Sequence, residues 1–168
     1  MKKNVIFCII SAAAILLGGC GYSFGQIGHP QLKTVAVAPV INDTLSFNAA
    51  AQMRNLLSET FTTDGTMKLV PEHKADCIVY ARITDVKISA INWSDSDDFQ
   101  ANEWQCSVNV TYSVILPGRG KPLISNASTS GTADFMTGPD MEGSRINGMR
   151  QAMYEAAKNI VSGITEAW

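Results

Sequence analysis

The sequence predicts an α+β fold: two helices packed on one face of a mainly antiparallel sheet of about four strands, in the order β-α-(β)-β-β-β-α. Three observations lead there. Trp104, Cys106, Val108, Val110, Tyr112, Val114 and Leu116 alternate without a break against Gln105, Ser107, Asn109, Thr111 and Ser113, the pattern of a strand with one buried face. Residues 34–38, Thr-Val-Ala-Val-Ala, form a buried β-branched run. Two other segments carry apolar residues at steps of three and four, the spacing of a helix with one buried stripe. Two such helices laid on one face of an antiparallel sheet make an economical two-layer core.

Taken in order, the first strand ends at Pro39, which has no N–H for a ladder, and Asn42-Asp43-Thr44 marks the turn out of it. The first helix is predicted over 46–64. Ala50, Met53, Leu57 and Phe61 form its stripe, Ser46 can act as N-cap, and Gly65 suits the left-handed position after the last turn. Residues 66–70 read as a short strand before Pro71. Across 75–91, Cys77, Val79, Ala81 and Ile83 share one face, while Val86 and Ile88 continue on the opposite parity. A β-bulge near Thr84 and Asp85 reconciles the two. An acidic loop, the Trp104–Leu116 strand, a Pro- and Gly-rich turn at 117–122 and a Ser- and Thr-rich strand over 123–135 follow. Asp140 is a candidate N-cap for the final helix, whose stripe is Ile146, Met149, Met153, Ala156, Ile160 and Ile164, widened by Ala157, Val161 and Trp168. Gly143 and Gly148 weaken its opening, so its firm part is expected to begin near Arg145.

The N-terminus dictates a different chemistry. Lys2 and Lys3 precede an apolar run over 5–17 that is short for a membrane span, and Leu17-Gly18-Gly19-Cys20 follows. The tetrad resembles a bacterial lipobox, in which small residues admit a peptidase and the cysteine thiol forms a thioether to a diacylglycerol. Residues 1–19 are therefore expected to be a cleaved lipoprotein signal, Cys20 the lipidation site, 20–31 a tether and 32–168 one domain. The alternatives are an ordinary signal with an accidental cysteine and an uncleaved anchor.

Removing the first 19 of 168 residues leaves 149, and losing Lys2 and Lys3 leaves 11 basic residues against 15 acidic ones, a formal charge of −4. That balance excludes nucleic acid as the expected partner. Charged residues are only 17% of the chain, low for a freely soluble monomer, so part of the surface is expected to be covered. Cys77 and Cys106 remain after Cys8 and Cys20 are assigned. With the hairpin centred near residue 97, Cys77 lies opposite about residue 116 and Cys106 opposite about residue 87. Ten residues along a sheet is ~30 Å against a disulfide reach of roughly 7 Å, so both are expected as free, buried thiols.

Catalysis and metal binding lack their patterns. His29 and His73 stand alone, there is no HExxH, CxxC or GxSxG, and neither an enzyme nor a metal or cofactor site is expected. Asp95-Ser96-Asp97-Asp98 opens like a calcium loop, but Gln100 and Cys106 occupy the places of its glycine and glutamate, which leaves a solvated hairpin tip. Trp93, Phe99 and Trp104 flank that tip, either to anchor a partner or to cap the core. Arg119 and Lys121 put two cations on the other turn, as a phosphate-ligand site or a solvated turn. Met149 and Met153 read as core.

Cys20-Gly21-Tyr22-Ser23-Phe24, the strand Val35-Ala36-Val37-Ala38-Pro39-Val40 with Asn42-Asp43-Thr44 after it, Ala75-Asp76 opening a long strand, and a terminal helix ending in Trp168 together resemble the lipopolysaccharide-assembly lipoprotein LptE (RlpB) family. The resemblance implies an outer-membrane lipoprotein, held by lipid on Cys20, that plugs the β-barrel of its partner LptD, helps it assemble, and assists delivery of lipopolysaccharide to the cell surface. Gly21, where inner-membrane lipoproteins of enteric bacteria carry Asp, agrees with the outer membrane. The family's lipopolysaccharide-contacting residues lie outside the matched motifs, so Arg119 and Lys121 are candidates on their charge alone. Residues 35–44 also resemble the opening of periplasmic lipoproteins related to the curli secretion component CsgG, which implies a secretion-pore subunit as the alternative.

Overall fold

Alternating valines and isoleucines leave one face of a twisted sheet apolar, and two helices cover that face. The computed structural model describes residues 32–94 and 97–166, with the side chains of 94–100 excepted. The strands are β1 (Thr34–Val37), β2 (Ile41–Asn42), β3 (Lys68–Leu69), β4 (Cys77–Ser94), β5 (Asp97–Ile115) and β6 (Ile124–Met136); the helices are α1 (Ala49–Asp64) and α2 (Met141–Thr165). The order across the sheet is β3-β1-β4-β5-β6, with β2 paired to β4 beyond the end of β1. β4, β5 and β6 are antiparallel, whereas β1 lies parallel to both β3 and β4. The sheet is therefore mixed; β3 is the short strand expected over 66–70, and the two-residue β2 is the addition. The lipobox with Cys20, the tether over 20–31 with His29, and Trp168 lie outside the described residues, as do the side chains of Asp97, Asp98 and Phe99.

The β4–β5 ladder fulfils the register argument. Ile78 pairs with Ile115 and Ile88 with Cys106, and the register shift falls between Ile83 and Asp85, at the expected bulge. Cys77 and Cys106 are free and buried at well-separated points of the ladder. Pairing continues outward to Ser94 and Asp97, further than the expected loop, through three more register shifts that accommodate Trp93 and its neighbours.

α1 begins later than expected. Ser46 does not cap it, because Asn42, Thr44 and Ser46 bond to one another: Asn42 Oδ1 accepts from Thr44 N and Oγ1, Thr44 Oγ1 accepts from Ser46 N, and Asn42 Nδ2 donates to Ser46 O. The cap position passes to Asn48, at φ 57° and with no side-chain capping bond. Gly65, at φ 69°, donates its N–H to Phe61 O and closes the helix as expected.

α2 begins at Met141, directly after the expected N-cap Asp140 and ahead of the firm start expected near Arg145. Asp140 Oδ1 accepts from Gly143 N, and a Cβ on residue 143 would collide with that carboxylate, so this glycine admits the cap. Glu142 and Arg145 pair across the first turn. Gly148 sits where a Cβ would enter the Phe135 ring, and a Cβ on Gly131 of β6 would meet Ala152 O and Ala156 N of α2. Helix and sheet thus touch almost backbone to backbone. Ala152, Met153, Ala156, Ala157 and Ile160 fill the seam, and Met53, Leu57 and Phe61 of α1 join the same core. The uncovered face of β5 and β6 carries mainly hydroxyl and amide side chains, cross-linked by Gln105 to Asp134 and Ser113 to Asn126, while that of β4 exposes Tyr80, Arg82, Asp85 and Lys87.

Replacing Gly131 with Ala forces α2 off the sheet, and overpacking of this kind costs about 1–3 kcal/mol. Urea unfolding should show a lower midpoint for Gly131→Ala at an unchanged slope, while Ser128→Ala on the exposed face leaves the midpoint in place. An unchanged Gly131→Ala midpoint would show that the close seam is not required.

Candidate interaction surfaces

Chain entry is fixed by one carboxylate. Asp76 Oδ2, at the start of β4, accepts from Lys33 N at 3.0 Å, Thr34 N at 2.9 Å and Thr34 Oγ1 at 2.8 Å, and Thr34 Oγ1 accepts from Asp76 N. The Thr34 hydroxyl, then the two backbone N–H groups, hold the carboxyl below its ordinary value of 3.8. Beside it, Cys77 donates its thiol to Thr34 O, and burial, with a smaller contribution from the Asp76 charge, pushes that thiol up to about 12. Burial likewise raises Cys106. Neither is a nucleophile at neutral pH.

Arg119 and Lys121 sit on the β5–β6 turn, where Gly118 adopts φ 80° and Arg119 N donates to Leu116 O. Both are exposed. The turn brings these two charges together at the end of the sheet from which the chain enters. His73 lies exposed in a short 3₁₀ turn, Glu72–Lys74. Met149 and Met153 are buried in the core, as their spacing predicts. Trp104 is half-buried and donates Nε1 to Thr137 Oγ1, which serves the capping reading, whereas Trp93 is 52% exposed.

One surface was missed from sequence. Leu45 and Phe47, in the β2–α1 loop, are 105% and 86% exposed, and Ile146 of α2, expected on the buried stripe, is 44% exposed. Together with Gln52, Glu142, Arg145 and Met149 they line a groove of about 530 Å³. Two large apolar residues between the Asn42 turn and a helix were the available signal. The stripe misled at Ile146 because α1 starts at Ala49 and leaves the first turns of α2 uncovered.

No helix of the described residues is long and apolar enough to cross a membrane, which says nothing of a β-barrel. Among the described residues no group of three or more His, Cys, Asp or Glu side chains could hold a metal ion.

Solved structures share this two-layer α+β architecture. The hypothetical protein CT253 from Chlamydia trachomatis matches at a TM-score of 0.56 and 15% identity, covering 82% of this chain and 99% of that one. Protein XCC0632 from Xanthomonas campestris matches at 0.58 and 8% identity, covering 82% and 89%. A PelC dodecamer from Paraburkholderia phytofirmans matches at 0.52 and 14% identity, covering 84% and 95%. At such identities the likeness shows the fold alone. A comparison with curated proteins found no match. The family description LptE, lipopolysaccharide-assembly, matches residues 32–167, and the chain belongs to that family.

Because the folded Asp76 carboxyl is held below its unfolded value, its contribution to stability is full above the ordinary 3.8 and is lost as pH falls through the depressed folded value. Thermal melts should show Asp76→Asn less stable at neutral pH and less sensitive to acid than the parent chain below pH 3.8. Parallel pH profiles for the two would remove Asp76 from this role.

Proposed function

We propose that this chain is an outer-membrane lipoprotein, acylated on Cys20, that plugs the barrel of LptD, helps it assemble and assists lipopolysaccharide insertion at the cell surface. In this reading residues 1–19 are the cleaved signal, 20–31 the tether and 32–168 the working domain. Membership of the lipopolysaccharide-assembly family across nearly the whole domain carries it. Physical features agree. Charged residues are 17% of the chain, and the uncovered face of β5 and β6 presents mainly hydroxyls and amides, which suits contact with the polar interior of a barrel. Several acyl chains on one cysteine hold a domain firmly at a membrane, where a single chain binds reversibly. The same family match favours this reading over a secretion-pore subunit.

Native chain carrying a C-terminal tag, solubilised in detergent, should co-purify in stoichiometric amount with an outer-membrane barrel of LptD type identified by mass spectrometry. Recovery as a ring of its own copies, or alone, would overturn the plug reading. A Cys20→Ser variant should lose lipid labelling and membrane association.

Arg119 and Lys121 are proposed to contact lipopolysaccharide phosphates. Exposed charge pairs contribute about 0.2–1 kcal/mol each. Replacing both with Ala should therefore weaken lipopolysaccharide binding about fivefold without lowering the melting temperature, since neither packs in the core. Unchanged affinity would exclude them.

A further inference from the structure

We propose that the chain's own N-terminal segment, the stretch carrying Tyr22 and Phe24, docks on the uncovered face of the sheet and seats an aromatic ring in the hollow walled by Ile41, Tyr80 and Arg82. Docked in this way it holds Cys20 close to β4 and β5.

Three observations carry this. The first is where apolar side chains stand on a face that is otherwise polar. β5 and β6 present mainly hydroxyls and amides there, yet Ile41, Tyr80 and Ile115 are exposed on adjoining strands, with Ile78 paired to Ile115 beside them. Single apolar residues on a surface are ordinary, whereas several together mark a site that something covers.

The second is the chemistry of the hollow, which selects an aromatic occupant. Ile41, Tyr80 and Arg82 surround a depression of about 160 Å³ floored by Thr111 and Ser113. Arg82 Nη1 donates to both carboxylate oxygens of Asp43, at 2.8 and 2.7 Å, so its guanidinium is held in place. A fixed guanidinium plane beside a tyrosine ring favours a flat π system over an aliphatic chain. On the floor, Ser113 Oγ accepts from Asn126 N and donates to Asn126 Oδ1, so this hydroxyl is satisfied within the sheet and is not waiting for a sugar.

The third is reach. The chain enters at Thr34, beside Asp76, and Tyr80 lies four residues along β4 from there, about 13 Å. β4 and β5 stand one and two strand spacings from β1, each about 4.8 Å. Eight residues lead from Phe24 to Leu32 and extend to about 26 Å, enough to cover that path. Tyr22 and Phe24 are two residues apart, so an extended segment turns both to one side, at the spacing of Ile78 and Tyr80 on the strand beneath. The inference goes beyond the barrel and lipopolysaccharide reading and does not rest on it, because it concerns contacts within one chain and holds whether or not Cys20 is acylated.

The test uses the full-length chain with a photo-crosslinking amino acid at position 115, next to the hollow, purified in detergent from cells grown on light or heavy nitrogen. The expected product joins position 115 to residues 20–31 of the same molecule, with no mixed light–heavy peptide after the two preparations are combined. Its yield should fall about fivefold when Tyr22→Ser and Phe24→Ser are combined, the order expected for losing aromatic contacts. Both positions precede the folded domain, so an unchanged melting temperature will show that the loss is not one of folding. Cys20→Ser should crosslink as the parent does, since the aromatic rings and not the acyl chains hold the segment. Crosslinks to a second copy, to another protein, to lipid only or to nothing would overturn the proposal, as would an undiminished yield in the double variant or a lost crosslink in Cys20→Ser.

Discussion

The close seating of α2 on β5 and β6 is the constraint on which the other features depend. Ordinary helix–sheet packing interposes side chains, but here Gly131 and Gly148 remove them, and alanines at 152 and 156 keep the seam thin. Dispersion is strongest at such short range and falls off steeply with any gap. This draws the long hairpin against one helix along most of its buried face and leaves α1 to cover the β1–β4 half. The division of labour explains why the two helices, though both amphipathic, are unequal: one is the main lid of the core, and the other fills what remains.

Where the lid ends, the surface changes character. α2 reaches past the start of α1, so Ile146 and the Leu45–Phe47 loop face one another across open space instead of each finding cover. At the opposite end of the sheet the chain enters beside Asp76, and the β5–β6 turn presents its two cations. The entry end is therefore polar and charged, while the most exposed apolar side chains gather around the start of α2.

Much of the fold was legible because the chain's longest elements obey strict periods. Thirteen residues of unbroken alternation around Val108 placed the central strand, and the parity change after Ile83 placed the bulge, since a period of two leaves no other way to keep both sets of apolar residues inside. The buried, separate thiols followed from that register. What escaped were features made by contacts distant in sequence. The Asp76 latch joins positions 42 and 43 residues apart, β2 is a two-residue strand defined only by its neighbour, and Gly148 read as a weak point of the helix because Phe135, the reason for it, lies in another element. Family membership was legible from short motifs in order, while the groove was not, because exposure of an apolar residue leaves no trace in periodicity.

The Asp76 latch also decides how the domain meets mechanical load. Any tension arriving from the N-terminal side reaches the fold at Lys33 and Thr34, where four hydrogen bonds tie the chain to Asp76 at the head of β4. β1 then runs between two parallel neighbours, so a pull along it shears both ladders together instead of unzipping one bond at a time. Resistance to forced unfolding is governed by the unfolding rate, not by equilibrium stability. Load arriving from the N-terminal side thus meets the domain at the point where its sheet shares it across several hydrogen bonds at once.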